Sequence, residues 1–429
     1  MTAPMRHERD LSPILGDLAM APYPDYVDDV LGRTGRMRQR PAWTFPGRWL
    51  PMDITTRATP VARLPWRQLG ILALIALLLA TALAVYVGSQ RRVPAPFGPA
   101  RNGLIPYISN GDIYVGDPVT GRTTLLLGGP EDDTSPGYSP DGTRMAFIRS
   151  APAGTAQQQP VDLYVMHDDG SDVTKITAAS LPNIVFATWA PDGRRLAVIH
   201  PVDGVNQIDL LDAEGNLAPL RISAAAGADQ IAYRPPMGNE IVFRAVVGGK
   251  YGLFLVGADG SNPRTLIKPT NTVDVDQDLS AVTFSADGSR IFYQRWTPEA
   301  IELWVMNADG SGAHEFLPKP GAGWDGLAAP SPDGKWVAFW DVPENPDGSP
   351  SGAEQRISVV PADGKGPVMQ AGPAVNSGAH WTWSPDSTKI LMIPDEGSPS
   401  AFLLDPTTGG WTTIPWQSDT DLDWQRLAL

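Results

Sequence analysis

The sequence predicts an all-β fold, a seven-bladed β-propeller whose C-terminal strand closes the first blade. One transmembrane helix and a small, partly helical or disordered N-terminal tail precede it. Three observations carry the prediction. The string YSPDGTRMAF at 138–147 returns as TWAPDGRRLAV, TFSADGSRIFY, PSPDGKWVAF and TWSPDSTKILM, with a degenerate copy, YRPPMGNEIVF, from Tyr233. A second string, typified by WVMNADGSG, recurs out of phase with the first. That second string also occurs once more often than the first.

The turn glycines of the first string, or their equivalents, are Gly142, Gly193, Gly238, Gly288, Gly334 and Ser387, separated by 51, 45, 50, 46 and 53 residues. A near-constant period of this size decides architecture before any single residue does. The string reads as strand, turn, strand. Pro140 presets φ for a tight turn, Asp141 bonds its own backbone, and Gly142 accepts positive φ. The same structural roles fall to Asp192, Gly193, Asp287, Gly288, Asp333 and Gly334. The strands that follow, such as RMAFI, RLAVI and WVAFW, are apolar at nearly every position, as in a sheet covered on both faces. The second string supplies a third strand, an Asp-Gly turn and a short outer strand. Four strands in about 45–50 residues make a propeller blade rather than a helical repeat.

The surplus copy of the second string locates the closure. The first blade begins at LIPYIS and GDIYVGD with no strand-turn string before it, while the last residues, DTDLDWQRL, resemble the start of a repeat. Trp424 aligns with Trp189, Trp383, Phe284, Tyr233 and Tyr138. The C-terminal segment is therefore expected to supply the innermost strand of the N-terminal blade, which leaves no sheet edge open.

SPDG followed by an apolar strand and a VMNADGS-type turn resembles the WD40-like repeat of TolB-type bacterial propellers, over roughly residues 103–429. TolB proteins are periplasmic and carry an extra N-terminal domain that engages other envelope components. The resemblance implies the propeller fold, and TolB's own partners do not carry over. Here a tail and a membrane segment stand in place of that domain, a layout similar to bacterial single-pass membrane proteins with an outer TolB-like propeller.

Leu69–Gly88 is twenty residues without a charge. At ~1.5 Å per residue, about 20 apolar residues match the hydrocarbon layer. The expected organisation is a cytoplasmic tail (1–68), a transmembrane helix (69–88), a Pro/Gly-rich linker (89–102) and an extracytoplasmic propeller (103–429). Arg33, Arg36, Arg38, Arg40 and Arg48 place the tail inside. The tail offers two short helices in 10–38 and an Arg-, Pro- and Trp-rich juxtamembrane stretch, so a cytoplasmic partner is one expectation. The layout resembles membrane anti-sigma factors, although this tail has one histidine and the chain has no cysteine.

Residues 89–429 carry 23 basic and 40 acidic side chains, which repels a phosphate backbone and excludes nucleic acid as a partner. The partner expected instead is a protein or glycan of the cell envelope. Strand order puts the SPDG and ADG turns on one face and the remaining connections on the other. There the lengths vary: 151–160, 268–277, 319–326 and 343–355. Variable loops on a rigid scaffold carry recognition, so the candidate ligand-binding residues are Trp296, Trp324, Asp325, Asp274 and Asp276.

Catalytic motifs are not found. HEFLP at 314–318 puts Pro318 where a zinc-protease helix needs its second histidine, and no G-x-S-x-G elbow occurs. DVDQD (274–278) and DTDLD (419–423) alternate carboxylates as a calcium loop does, but lack its glycine and its bidentate glutamate. The expectation is a chain that is not an enzyme and holds no cofactor, with Ca2+ the one metal the sequence suggests. Two alternatives stand beside a binding scaffold: a transmembrane sensor signalling through the tail, and an enzyme modifying envelope polymers.

Overall fold

The structure is a computed structural model. It describes residues 95–429 apart from 152–160, 178–180, 182, 217, 270–278, 297–300, 318–323, 343–354, 376–379, 395–400, 415 and 417–422, together with 71, 73–77 and 79. The chain divides into two units, Met1–Gln90 and Arg91–Leu429. In the first, the described residues are helical and expose Ile71, Leu74, Ile75, Leu77 and Leu79. No helix among the described residues is long and apolar enough to cross a membrane. Most of the expected span Leu69–Gly88, and both expected tail helices, lie outside the described residues.

The second unit is a seven-bladed propeller. Blade two shows the pattern: Asp132–Tyr138 innermost, then Arg144–Ser150, Asp162–His167 and the short outer Thr174–Lys175, each antiparallel to its neighbour. Blades three to seven begin with inner strands Phe186–Trp189, Ala228–Tyr233, Leu279–Phe284, Trp324–Pro330 and His380–Trp383. The core lies between blades. Val242 and Leu255 of blade four pack with Phe284, Ile291 and Met306 of blade five. Ala338 and Val359 of blade six pack with Trp383 and Ile390 of blade seven. Second strands are buried on both faces, Met145, Ala146 and Phe147 in succession, because each blade is stacked against two others.

Each SPDG turn is organised by its serine. Ser139 Oγ donates to Asp141 Oδ1 at 2.6 Å and accepts from the Arg144 amide at 3.0 Å. Ser285, Ser331 and Ser384 repeat both bonds with Asp287, Asp333 and Asp386, and all four serines are buried. The Asp-Gly pair had been legible as a turn; the buried hydroxyl that holds it was not.

Blade one contains Ile105–Ser109, Asp112–Gly116 and Thr123–Leu127, and takes its inner element from the other end of the chain. The Gln425 amide donates to Leu104 O and the Gly103 amide to Gln425 O, both at 2.9 Å. Arg101–Asn102 pairs antiparallel with Arg426–Leu427. These bonds correspond to those inside blade two's turn, where the Ser139 amide donates to Arg144 O. Blade one thus has the same hairpin, cut open, and the pairing begins at Arg101 rather than at the expected 103. Trp424 packs with Ile105 and Tyr107 of blade one and with Leu391, Ile393 and Ala401 of blade seven.

Candidate functional site

The inner strands of blades two, three, six and seven, together with Asp423 from the clasp, surround a central chamber of ≈ 670 Å³. That volume is within the ~300–1,000 Å³ usual for ligand cavities. Its wall is mostly apolar or small, with Val185, Phe186 and Trp381 beside Ser135 and His380. Val185 and Phe186 are 43% and 39% exposed, and the chamber is where they are exposed. Ser135, Phe186 and His380 each stand three residues before the aromatic that ends the inner strand, Tyr138, Trp189 and Trp383. Sequence reasoning used those aromatics to align blades and missed the position upstream, although the spacing was there to read.

Asp423 lies partly buried in the wall. Its carboxylate accepts from the backbone amides of Tyr138 and, at 2.7 Å, Trp424. Burial pushes its pKa up, opposed by those amides and by the Arg426 charge. Burial in turn lowers the Arg426 guanidinium. Asp423 is the one described residue of DTDLD, and its oxygens accept from backbone amides. DVDQD, with Asp274 and Asp276, lies outside the described residues. Among the described residues no group of three or more potential ligands is placed to hold a metal ion.

At the long-connection end, the start of each inner strand faces the end of the second. In blade two, Arg149 grips Asp133 bidentately at 2.7 and 2.8 Å, with Asp133 2% exposed. In blade four, Arg244 grips Asp229 at 2.8 and 2.6 Å. In blade six the corresponding register pair is Asp325 with Asp341, so the arginine is replaced by a second carboxylate-bearing residue. Asp341 accepts from Ser358 Oγ at 2.9 Å. In blade three a different clamp buries Asp209 between His200 Nε2 (3.0 Å) and Arg221 (2.9 Å to each oxygen). It is a charge clamp rather than a triad, since the third member is a guanidinium and not a hydroxyl.

Trp324 and Asp325, expected in a loop at 319–326, are instead strand residues opening blade six. The glycines of GAGWDGL had suggested a loop, but this inner strand starts as early as its counterpart Asp132–Tyr138. Trp296 ends the second strand of blade five. Trp296 and Trp324 stand on strands either side of Ile301, which pairs antiparallel with Trp296 and parallel with Trp324. Three of the five candidates thus share one stretch of the long-connection face.

No family model matches the chain. It is 37% identical over 192 residues to the Tol-Pal system protein TolB of Anaeromyxobacter dehalogenans, covering 42% of each chain. It is 31% identical over 104 residues to the uncharacterized peptidase YuxL of Bacillus subtilis, covering 24% of this chain and 14% of that one. The chain therefore spans less than half of the curated relatives it matches. Among solved structures, one described as a structural and mechanistic analysis of two prolyl endopeptidases superposes with a TM-score of 0.54 at 14% identity, covering 74% of this chain and 50% of that one. These findings correct the expectation of a chain that is not an enzyme: proteins named as peptidases share its repeat and its fold.

Proposed function

We propose that this chain, a TolB-like seven-bladed propeller, is an extracytoplasmic scaffold that binds a protein or glycan of the cell envelope, tethered to the membrane through Leu69–Gly88. The observation that carries the reading is the 192-residue match to a Tol-Pal system protein, taken with the seven-bladed ring. The two faces support it by their difference. Short turns on one face are hydrogen-bonded blade to blade: Asp333 N to Ser387 Oγ at 3.0 Å, Asp386 N to Asn102 Oδ1 at 3.0 Å and Gln425 Nε2 to Gly142 O at 2.8 Å. The other face carries the longer connections of the sequence and the backbone positions of Trp296 and Trp324 on either side of Ile301, and we assign binding there.

The test is crosslinking and pull-down from intact cells with the full chain as bait. A Trp296→Ala/Trp324→Ala chain should lose the captured partner, while an Arg144→Ala/Lys335→Ala chain on the short-turn face should keep it. The reverse pattern overturns the face assignment. Protease added to spheroplasts should cut the propeller if it is outside. Removing residues 1–60 separates a passive anchor from a sensor: capture persists in both, and only a sensor loses a cytoplasmic output.

A second reading, an enzyme acting on envelope polymers, is favoured by the peptidase-named relative and by the chamber with His380 in its wall. Turnover of peptidoglycan fragments or peptides by the purified chain, lost in His380→Ala, would establish it.

A further inference from the structure

The segment leading into the propeller crosses the short-turn end of the chamber. At one end the Ala100 amide donates to Pro385 O in blade seven's turn at 2.9 Å. At the other, Phe97 packs against the cluster that contains Ala190 and Tyr233, from blades three and four. In a ring of seven those blades stand opposite blade seven, so Ala95–Ala100 spans the opening. Pro96 forms part of the chamber wall.

The fastening is specific. One terminal nitrogen of Arg426 donates to Ala95 O at 3.1 Å and to Gly98 O at 2.6 Å. Gly98, at φ +81, supplies the backbone conformation between the two carbonyls and Ala100. Arg426 Nε is buried and has no hydrogen-bond partner, so the seat holds a donor that this occupant does not use. The occupant itself reads A-P-F-G-P-A: uncharged, bent at Pro96–Gly98, with one aromatic between its two prolines. Its two prolines restrict the free chain, so less chain entropy is lost on docking.

We propose that the short-turn mouth of the channel is a binding seat for a bent, uncharged, proline-flanked aromatic peptide. Ala95–Ala100 fills it in cis, and displacement of that strap opens the seat to such a segment of another polypeptide. This site is separate from the long-connection face and does not depend on it.

The experiment is a fluorescence-anisotropy titration of fluorescein-labelled acetyl-VPAPFGPA-amide against full-length chains. Phe97→Asp expels the chain's own strap and should bind the peptide at least tenfold tighter than the wild type, where the strap competes. Adding Arg426→Ala should weaken that binding by tenfold or more, and a peptide with serine for phenylalanine should not bind. Binding that is indifferent to Arg426 or to the peptide's phenylalanine overturns the proposal, as does no binding by a folded Phe97→Asp chain. If Phe97→Asp does not fold, Phe97→Ser removes the ring without adding charge and gives the same comparison. Partner capture in cells reads the other face, so either result stands when the other fails.

Discussion

The side-chain oxygen of Gln425 accepts a hydrogen bond from the backbone amide of Leu104 at 3.2 Å, across 321 residues of chain. Ser139 Oγ makes the equivalent bond to Arg144 N in blade two, five residues away. One bond is local and the other joins the two ends of the propeller, yet they occupy the same place in the repeat. The ring is closed by a turn made from two chains.

Gln425 is buried and its amide also donates to Gly142 O at 2.8 Å, so it links blades one and two. Replacing it with alanine strands a donor and an acceptor in the interior. Gln425→Ala should cost about 2–3 kcal/mol in urea unfolding, with an unchanged dependence on denaturant.

Gly142 sits at φ +70, and a Cβ there would collide with the carbonyl oxygen of Arg426. Gly193 has a similar φ of +64 with open space around it. Gly142→Ala should therefore destabilise clearly more than Gly193→Ala, which pays only the left-handed backbone penalty of about 1 kcal/mol. Thermal melts of the two variants, compared directly, give the difference.

The Asp133–Arg149 clamp is a buried pair in which desolvation dominates: burial raises the Asp133 carboxyl despite Arg149's hydrogen bonds. Removing one partner leaves a buried charge. Arg149→Ala should cost about 3 kcal/mol, and Asp133→Leu/Arg149→Met much less than that. A double variant worse than the single would show that the ion pair itself stabilises the blade.

Asp141, Asp287, Asp333 and Asp386 have lowered carboxyl pKa values. For Asp287 the serine hydrogen bond is the largest cause; in the other three, burial opposes the serine, backbone and neighbouring-group bonds that prevail. Depressed folded-state values contribute stability that is present above the unfolded carboxylate range near pH 4 and lost as pH falls below it. Acid should therefore unfold the ring progressively below about pH 4. Asp423 has the opposite sign, because its raised value contributes stability below that range and loses it as pH rises. Replacing Asp141 and Asp333 with asparagine should flatten the acid limb of the stability–pH curve, measured by urea midpoints from pH 3 to 7; an unaltered limb would place the acid sensitivity elsewhere.

The propeller was legible because repetition multiplies weak signals: one such turn is only a turn, but six at 45–53-residue spacing, four of them Asp-Gly, define blades. Trp424 was recognisable as the closing residue because its aromatic ring fills an interblade position that the other copies also fill. What repetition cannot reveal is anything that occurs once. Arg426 falls where five of the other copies have proline and one has Ala286, and its partners, Ala95 and Gly98, lie in a linker with no repeat to compare. Trp324 and Asp325 were misread because Gly321, Gly323 and Gly326 look like a loop in one dimension, while in the ring their backbone is fixed by the second strand at Asp341 and Val342.

The most direct measurement of ring closure uses the chain's lack of cysteine. Arg101 and Leu427 are register partners, so Arg101→Cys/Leu427→Cys places two thiols within disulfide reach in an otherwise thiol-free protein. The closed ring predicts an intramolecular disulfide on mild oxidation: no free thiol under denaturing conditions, faster migration on a non-reducing gel, and a melting temperature that rises and reverts on reduction. Two titratable thiols in the oxidised monomer, or disulfide found only in dimers, would mean that the ends of the propeller do not meet.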